Sequence, residues 1–276
     1  MKRKWWKWLI ALAALALLAA SALDQRLIVR EYVIDSEEIT EPVRLAVLTD
    51  LHGCDYGPYG AELAAKVDAY HPDAILLVGD MFSADGDYMD ELQLFRLLNG
   101  ITYTYYVTGN HEYWEYDVPF LYSWIESTGV RVLDQSSAFL FLDGQELNIC
   151  GVPDPYAMNY AGAPSTEEQL ARAAERVREG VYTVLLAHRP ELVEKYAAHG
   201  SFDLVVAGHA HGGQVRIPGL INGLYVPNQG WFPEYAGGMY RVGDTTMIVS
   251  RGLSRQLQWF VPRIFNRPEL VLVELN

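Results

Sequence analysis

Five short runs of aliphatic, aromatic and β-branched residues, at 43–49, 74–78, 103–107, 182–186 and 204–206, constrain the fold of this chain more than any other feature. They are too short for buried helices and have the composition of strands covered on both faces. Between several of them lie amphipathic stretches, at 60–71, 88–98, 166–178 and 191–199, long enough for crossover helices. Strands alternating with such helices predict an α/β fold, in which polar residues at strand exits gather along one edge of the molecule.

Each run closes on a polar motif: Asp50-Leu-His52, Gly79-Asp80, Gly109-Asn110-His111, Ala187-His188 and Gly208-His209-Ala210-His211. Seven side chains in these motifs, Asp50, His52, Asp80, Asn110, His188, His209 and His211, are carboxylate, amide and imidazole donors. That mixture suits two divalent ions of manganese, iron or zinc, and so many imidazoles disfavour magnesium. Taken singly, His52 or His188 reads as a hydrogen-bonded structural histidine, and Asp50 or Asp80 as a helix N-cap. The complete ordered set outweighs those readings. Gly79, Gly109, Gly208, Gly212 and Gly213 fit tight turns or close backbone approach, and Glu112 reads as a supporting or capping carboxylate rather than a ligand.

In this order DLH, GD, GNHE, H and GHAHGGQ resemble the calcineurin-like metallophosphoesterase superfamily, the last motif being the most specific. His188-Arg-Pro190, the motif from Gly208 to Gln214, residues 218–238, Ser250-Arg-Gly-Leu253 and Arg267-Pro-Glu-Leu270 are similar to its membrane-associated, YkuE-like branch, and the likeness covers about residues 40–276. The resemblance implies a four-layer α/β/β/α sandwich of two mixed sheets flanked by helices, with a two-metal phosphoesterase centre at one edge. It implies Asp50, His52 and His211 on the first metal, Asn110, His188 and His209 on the second, and Asp80 bridging both. A carboxylate has two oxygens for that task, whereas neutral imidazole offers one lone pair. Two cations so bridged acidify a water between them enough to make a hydroxide nucleophile near neutral pH. Asn110 is expected to contact phosphoryl oxygens as well, and His111 to be a catalytic non-ligand that faces the leaving group and donates a proton or offsets charge. The expected activity is hydrolysis of a phosphate monoester, diester or pyrophosphate, on a cell-envelope, lipid-linked or small-molecule substrate. A catalytically silent, membrane-tethered scaffold on the same fold is the competing reading. A GxSxG elbow and a GxxxxGK[ST] loop are both absent, which disfavours serine esterases and P-loop phosphatases.

At the amino terminus Lys2, Arg3, Lys4 and Lys7 interleave with Trp5, Trp6 and Trp8, ahead of a 15-residue run of mostly Ala and Leu at 9–23. The run is a little short of the ~20 residues that comfortably span a bilayer, and the tryptophans extend it as an interfacial belt. Ala20-Ser-Ala22 also offers a signal-peptidase site after Ala22. The expectation is a retained single-pass anchor over 1–23, with a cleaved signal peptide as the alternative. Either way residues 24–276, read as one catalytic domain, stand outside the cytoplasm because the basic cluster stays inside.

The formal charge is -14; residues 1–8 supply four cations and no acids, so the remainder carries -18. That balance argues against nucleic acid as a partner. Cys54 and Cys150 are expected to be free thiols, a bridge between them being the alternative in an exported protein. Residues 151–165, with three prolines, read as a surface loop. Residues 225–240 combine turns with large aromatics, and Trp231, Phe232 and Tyr235 are expected either to rim the substrate pocket or to cover the end of a sheet.

Overall fold

The computed structural model describes residues 5–82, 88–142, 144–160, 162–255 and 261–276; Lys2, Arg3 and Lys4 of the basic cluster lie outside the described residues. The first half runs α1 (Trp5–Ala22), β1 (Ile28–Ile34), β2 (Val43–Leu48), α2 (Ala61–Asp68), β3 (Ala74–Val78), α3 (Met89–Asn99), β4 (Tyr103–Val107), α4 (Asn110–Glu115), α5 (Val118–Glu126) and β5 (Arg131–Val132). The second runs β6 (Ser136–Leu142), β7 (Gln145–Gly151), α6 (Thr166–Ala174), β8 (Thr183–Leu186), α7 (Val193–His199), β9 (Leu204–Ala207), β10 (Tyr225–Val226), β11 (Gly230–Trp231), β12 (Gly238–Val242), β13 (Thr245–Val249) and β14 (Glu269–Leu275).

Two six-stranded mixed sheets result, ordered β1-β14-β2-β3-β4-β5 and β12-β13-β9-β8-β7-β6. Strands β2 to β5 are parallel, as are β7, β8, β9 and β13, with antiparallel pairs at β14–β2, β12–β13 and β6–β7. Alternation along each strand builds the layers. Val43, Leu45 and Val47 of β2 enter a core between the sheets with Leu76, Val184, Val206 and Val273, while Ala46 and Leu48 face a second core with Leu63 of α2, Phe95 of α3 and Leu121 of α5. Leu185 and Val205 likewise face Leu170 of α6 and Tyr196 of α7. Strands buried on both faces explain why the runs read as continuously apolar. Truncating one of these side chains, as in Leu76→Ala, would cost about 2–5 kcal/mol through lost burial and the cavity left behind.

The helices begin near the expected positions; α2 and α6 stop sooner, at Asp68 and Ala174, while α3 and α7 run to Asn99 and His199. Ser165 caps α6, accepting from Glu168 N at 3.3 Å while the Glu168 carboxylate accepts from Ser165 N at 2.8 Å, and left-handed Gly200 ends α7. Cys150 lies inside β7 with its side chain in the outer core of the second sheet, and Cys54 packs against that of the first, so opposite layers keep both thiols free. The loop expected over 151–165 needs correcting at its start: Gly151 completes β7 and residues 152–154 are buried, so only the later part lies at the surface.

Candidate metal centre

Parallel strands in the two sheets end on the same edge, which carries the five motifs together. The chain turns sharply at the β2, β3 and β9 exits: Asp50 (φ 52°), His52 (φ 49°), Asp80 (φ 52°), His209 (φ 63°) and His211 (φ 46°) all adopt the left-handed conformation. For residues other than glycine this costs on the order of 1–2 kcal/mol each, so the surroundings must hold it. They do so with buried hydrogen bonds. Asp50 N donates to Gly79 O at 3.0 Å and His52 N to Asp80 O at 3.1 Å, while Asp50 O accepts from Ser254 N at 2.7 Å. The Asp50 carboxylate accepts from Thr49 Oγ1 at 2.5 Å and from His209 N at 3.0 and 3.1 Å, joining the β2 exit to the β9 exit. Gly208 permits this approach, since a Cβ there would stand 1.9 Å from Thr49 Oγ1 and 2.5 Å from Asp50 Oδ2.

The donors fall into two sets sharing one carboxylate. Asp50, His52, Asp80 and His211 place ligand atoms within 4.8 Å of one another, and so do Asp80, His188 and His209. Asn110 lines the same cleft as Asp80, and its buried Oδ1 lacks a hydrogen-bond partner among the described residues. His111 stands outside both sets. Its backbone N–H donates to Asp80 Oδ1 at 2.8 Å, and its ring meets that of His52 edge-on at 4.4 Å along the cleft wall.

Tautomers and charges suit divalent cations. His188 Nδ1 donates to Val78 O at 2.8 Å, leaving Nε2 aimed at Asp80 Oδ2, 3.3 Å away, and at Asp50 Oδ1, 4.0 Å away. A ring N–H fixed by a backbone carbonyl is how ligating histidines are oriented. Nε2 of His52 and of His211 lie 3.2 Å apart, so the two rings converge on one point. Burial lowers His52 to about 4 and His211 well below its ordinary value, so both rings are neutral donors. Burial also opposes charge on His188, yet Asp80 and Asp50 outweigh it and raise its pKa to about 10. Burial alone would raise Asp80 as well, but the His188 charge beside it holds it well below the usual range. The carboxylates thus recruit a positive charge, and in the protein alone a proton on His188 supplies it.

Around this cage opens a cleft of about 620 Å³ lined by Asn110, His111, Arg189, His209, Tyr225 and Trp231 among others. Trp231 therefore belongs to the rim, the first of the two readings. Tyr235 does not: its ring packs edge-on against Tyr240 at 5.1 Å over the outer core of the second sheet. Sequence reasoning missed Arg189 and Asp154. The buried Asp154 carboxylate accepts from Arg189 Nε at 2.5 Å, while Arg189 Nη1 donates to Asn228 Oδ1 at 3.0 Å and to His209 Nε2 at 2.9 Å. A guanidinium only donates, so His209 accepts at Nε2 and its ring proton sits on Nδ1. Were His209 to hold a metal through either nitrogen as a neutral ring, it would give up that bond, and the Arg189 N–H would be free for another acceptor. Arg263, fully buried, donates to Arg251 O at 2.7 Å with its Nη2 3.4 Å from His211 Nδ1. The HRP motif marked Arg189, but its partner 35 residues earlier carried no visible signal.

Fold and site together define a class, an α/β/β/α sandwich with paired sets of metal donors at its strand exits. The chain belongs to the calcineurin-like phosphoesterase family, whose sequence profile matches residues 43–213. It is 28% identical over 251 residues to an uncharacterized metallophosphoesterase of Helicobacter pylori, covering 87% of this chain but only 61% of that protein's length. To the uncharacterized metallophosphoesterase YkuE of Bacillus subtilis it is 26% identical, covering 96% of this chain and 94% of that one. Among solved structures, a Thermus thermophilus sulfate thiohydrolase, SoxB, in complex with glycerol shares the fold at a TM-score of 0.52 and 14% identity, over 91% of this chain and 57% of its own.

Proposed function

We propose that residues 24–276 form one catalytic domain acting as a dinuclear metal-dependent phosphoesterase. The observation that carries this reading is the pair of donor sets meeting at Asp80. Asp50, His52 and His211 would hold one divalent cation, Asn110, His188 and His209 the other, and Asp80 both; manganese, iron and zinc suit these donors. Bound there, the cations would neutralise charge on the phosphoryl group and supply an activated water. The chain's own residues do the rest. Asn110 orients phosphoryl oxygens, His111 faces the leaving oxygen as proton donor, and Arg189 offers the N–H released from His209 to the same group.

Residues 5–22 form a helix long and apolar enough to cross a membrane, with none of it buried against the domain. We place the domain on the extracytoplasmic side, from the basic residues that precede this helix. The substrate class is a phosphate ester, diester, monoester or pyrophosphate, at the envelope or in solution. The test is hydrolysis of bis-p-nitrophenyl phosphate with added manganese by the full chain and by its Asp80→Asn variant. Activity lost in the variant, with folding retained, supports the enzyme; inertness of the parent chain toward a broad ester panel would make the protein a scaffold.

A further inference from the structure

We propose that the exposed apolar rim of the cleft, carried by residues 217–232, is a membrane-docking surface that presents the site to phosphate esters of bilayer lipids. The substrate class rests on the phosphoesterase reading above; the docking does not. A bilayer-inserted α1 would end at the membrane interface, and the chain from there to the rim is continuous. Ala22 O accepts from Phe265 N at 2.7 Å, and the Gln25 side chain donates to Arg263 O at 3.1 Å. The same segment binds the rim loop, through Arg216 N to Ile264 O at 2.9 Å, and backs the metal site, through Asn266 Nδ2 to His211 O at 2.7 Å. The anchor's end, the His211 loop and the rim therefore form one connected unit.

The composition of that unit fits a bilayer surface. Leu220 is 79% exposed, Trp231 68% and Phe232 65%, on a loop tip and a short hairpin within residues 220–232. Amphipathic rings with neighbouring aliphatics are what a headgroup boundary accepts. Residues 213–267 hold six arginines against Glu234 and Asp244, a net +4 in a chain of net -14. Arg251 is spent on Glu269, Arg267 faces Asp24 at 3.4 Å and Arg263 is buried, but Arg216, Arg241 and Arg255 keep part of their surface in solvent. These arginines would be drawn to anionic lipid, which would repel the acidic remainder and so orient the domain. The cleft lining combines polar Arg189 and Asn228 with apolar Leu224, Tyr225 and Val261. A lipid phosphate would set its headgroup by the polar groups and its hydrocarbon along the apolar ones.

The test reconstitutes the full chain, carrying Cys54→Ser, in vesicles of phosphatidylglycerol and phosphatidylcholine, with a fluorophore on Leu220→Cys or, as control, on Phe141→Cys of the distant strand β6. A nitroxide on the lipid acyl chain should quench the label at 220 at least about threefold more than the label at 141. Equal quenching overturns the docking, and a label at 220 shielded from iodide yet untouched by the nitroxide would make the rim a protein interface instead. Leu220→Ser with Phe232→Ser should lower turnover of vesicle-embedded phosphatidyl-p-nitrophenol about tenfold while changing that of bis-p-nitrophenyl phosphate less than about twofold. Equal losses on both esters overturn the lipid substrate. Selective quenching without hydrolysis of either ester upholds docking and sinks the phosphoesterase reading; hydrolysis of the soluble ester with equal quenching does the reverse.

Discussion

The carboxylate of Glu112 accepts the backbone N–H of Asp80 at 2.9 Å, and so fixes from outside the cage the residue that both donor sets share. The same carboxylate takes Gly109 N at 2.7 Å and Met81 N at 2.8 Å, tying the β3 exit to the β4 exit. Burial, with the Asp80 charge beside it, raises the Glu112 pKa, and these donors work against that shift. With Phe82 N at 3.4 Å as a fourth donor, Glu112→Ala leaves four buried N–H groups unpaired, each worth about 1–3 kcal/mol, and should lower unfolding stability by about 3 kcal/mol or more. Urea unfolding measures this; a loss below about 1 kcal/mol would show that Glu112 is not a structural tie.

On the proposed reading His111 acts on the leaving group without holding metal. His111→Asn should lower kcat on bis-p-nitrophenyl phosphate about 100-fold or more with metal content unchanged. Elemental analysis of the purified variant decides the matter, since loss of metal would make His111 a ligand.

Metal loading should expel protons. With its pKa raised to about 10, His188 in the metal-free protein is protonated at neutral pH and must deprotonate to ligate. Asp50, raised to about 6 chiefly by burial, adds a second proton below that pH. Apparent affinity should therefore rise with pH toward 10, with about one proton released per chain at pH 8 and more below pH 6. Titration calorimetry in buffers of differing ionisation enthalpy reads the count directly, and a pH-independent affinity would contradict it.

Gly208 serves the site by having no side chain. Its missing Cβ would overlap Thr49 Oγ1 and the Asp50 carboxylate, both on buried backbone, so Gly208→Ala must displace Asp50. Overpacking of this kind costs about 1–3 kcal/mol, and manganese affinity should fall about tenfold or more. Wild-type affinity in a folded Gly208→Ala protein would mean Asp50 is not a ligand.

Much of this was legible in the sequence, for physical reasons. Strands covered on both faces leave unbroken apolar runs, so β2, β3, β4, β8 and β9 could be read with the motifs at their ends. What escaped was long-range. Strand β14 inserts between β1 and β2 from the far end of the chain, and nothing local in residues 269–275 reports its neighbours. Arg189 meets Asp154 across two loops, and the stretch holding Asp154 has the proline content of a surface segment although its start is buried. Tyr235 and Trp231 lie four residues apart in one aromatic run, and only the turn between them sends one ring to a core and the other to the cleft.

Calorimetric titration of manganese into chelator-treated full-length protein, beside Asp80→Asn, tests the dinuclear cage most directly. The account predicts two ions per chain in the parent protein and at most one in the variant, with both proteins folded. Fewer than two ions in the parent, or two in the variant, would contradict a shared carboxylate at Asp80 and with it the proposed centre.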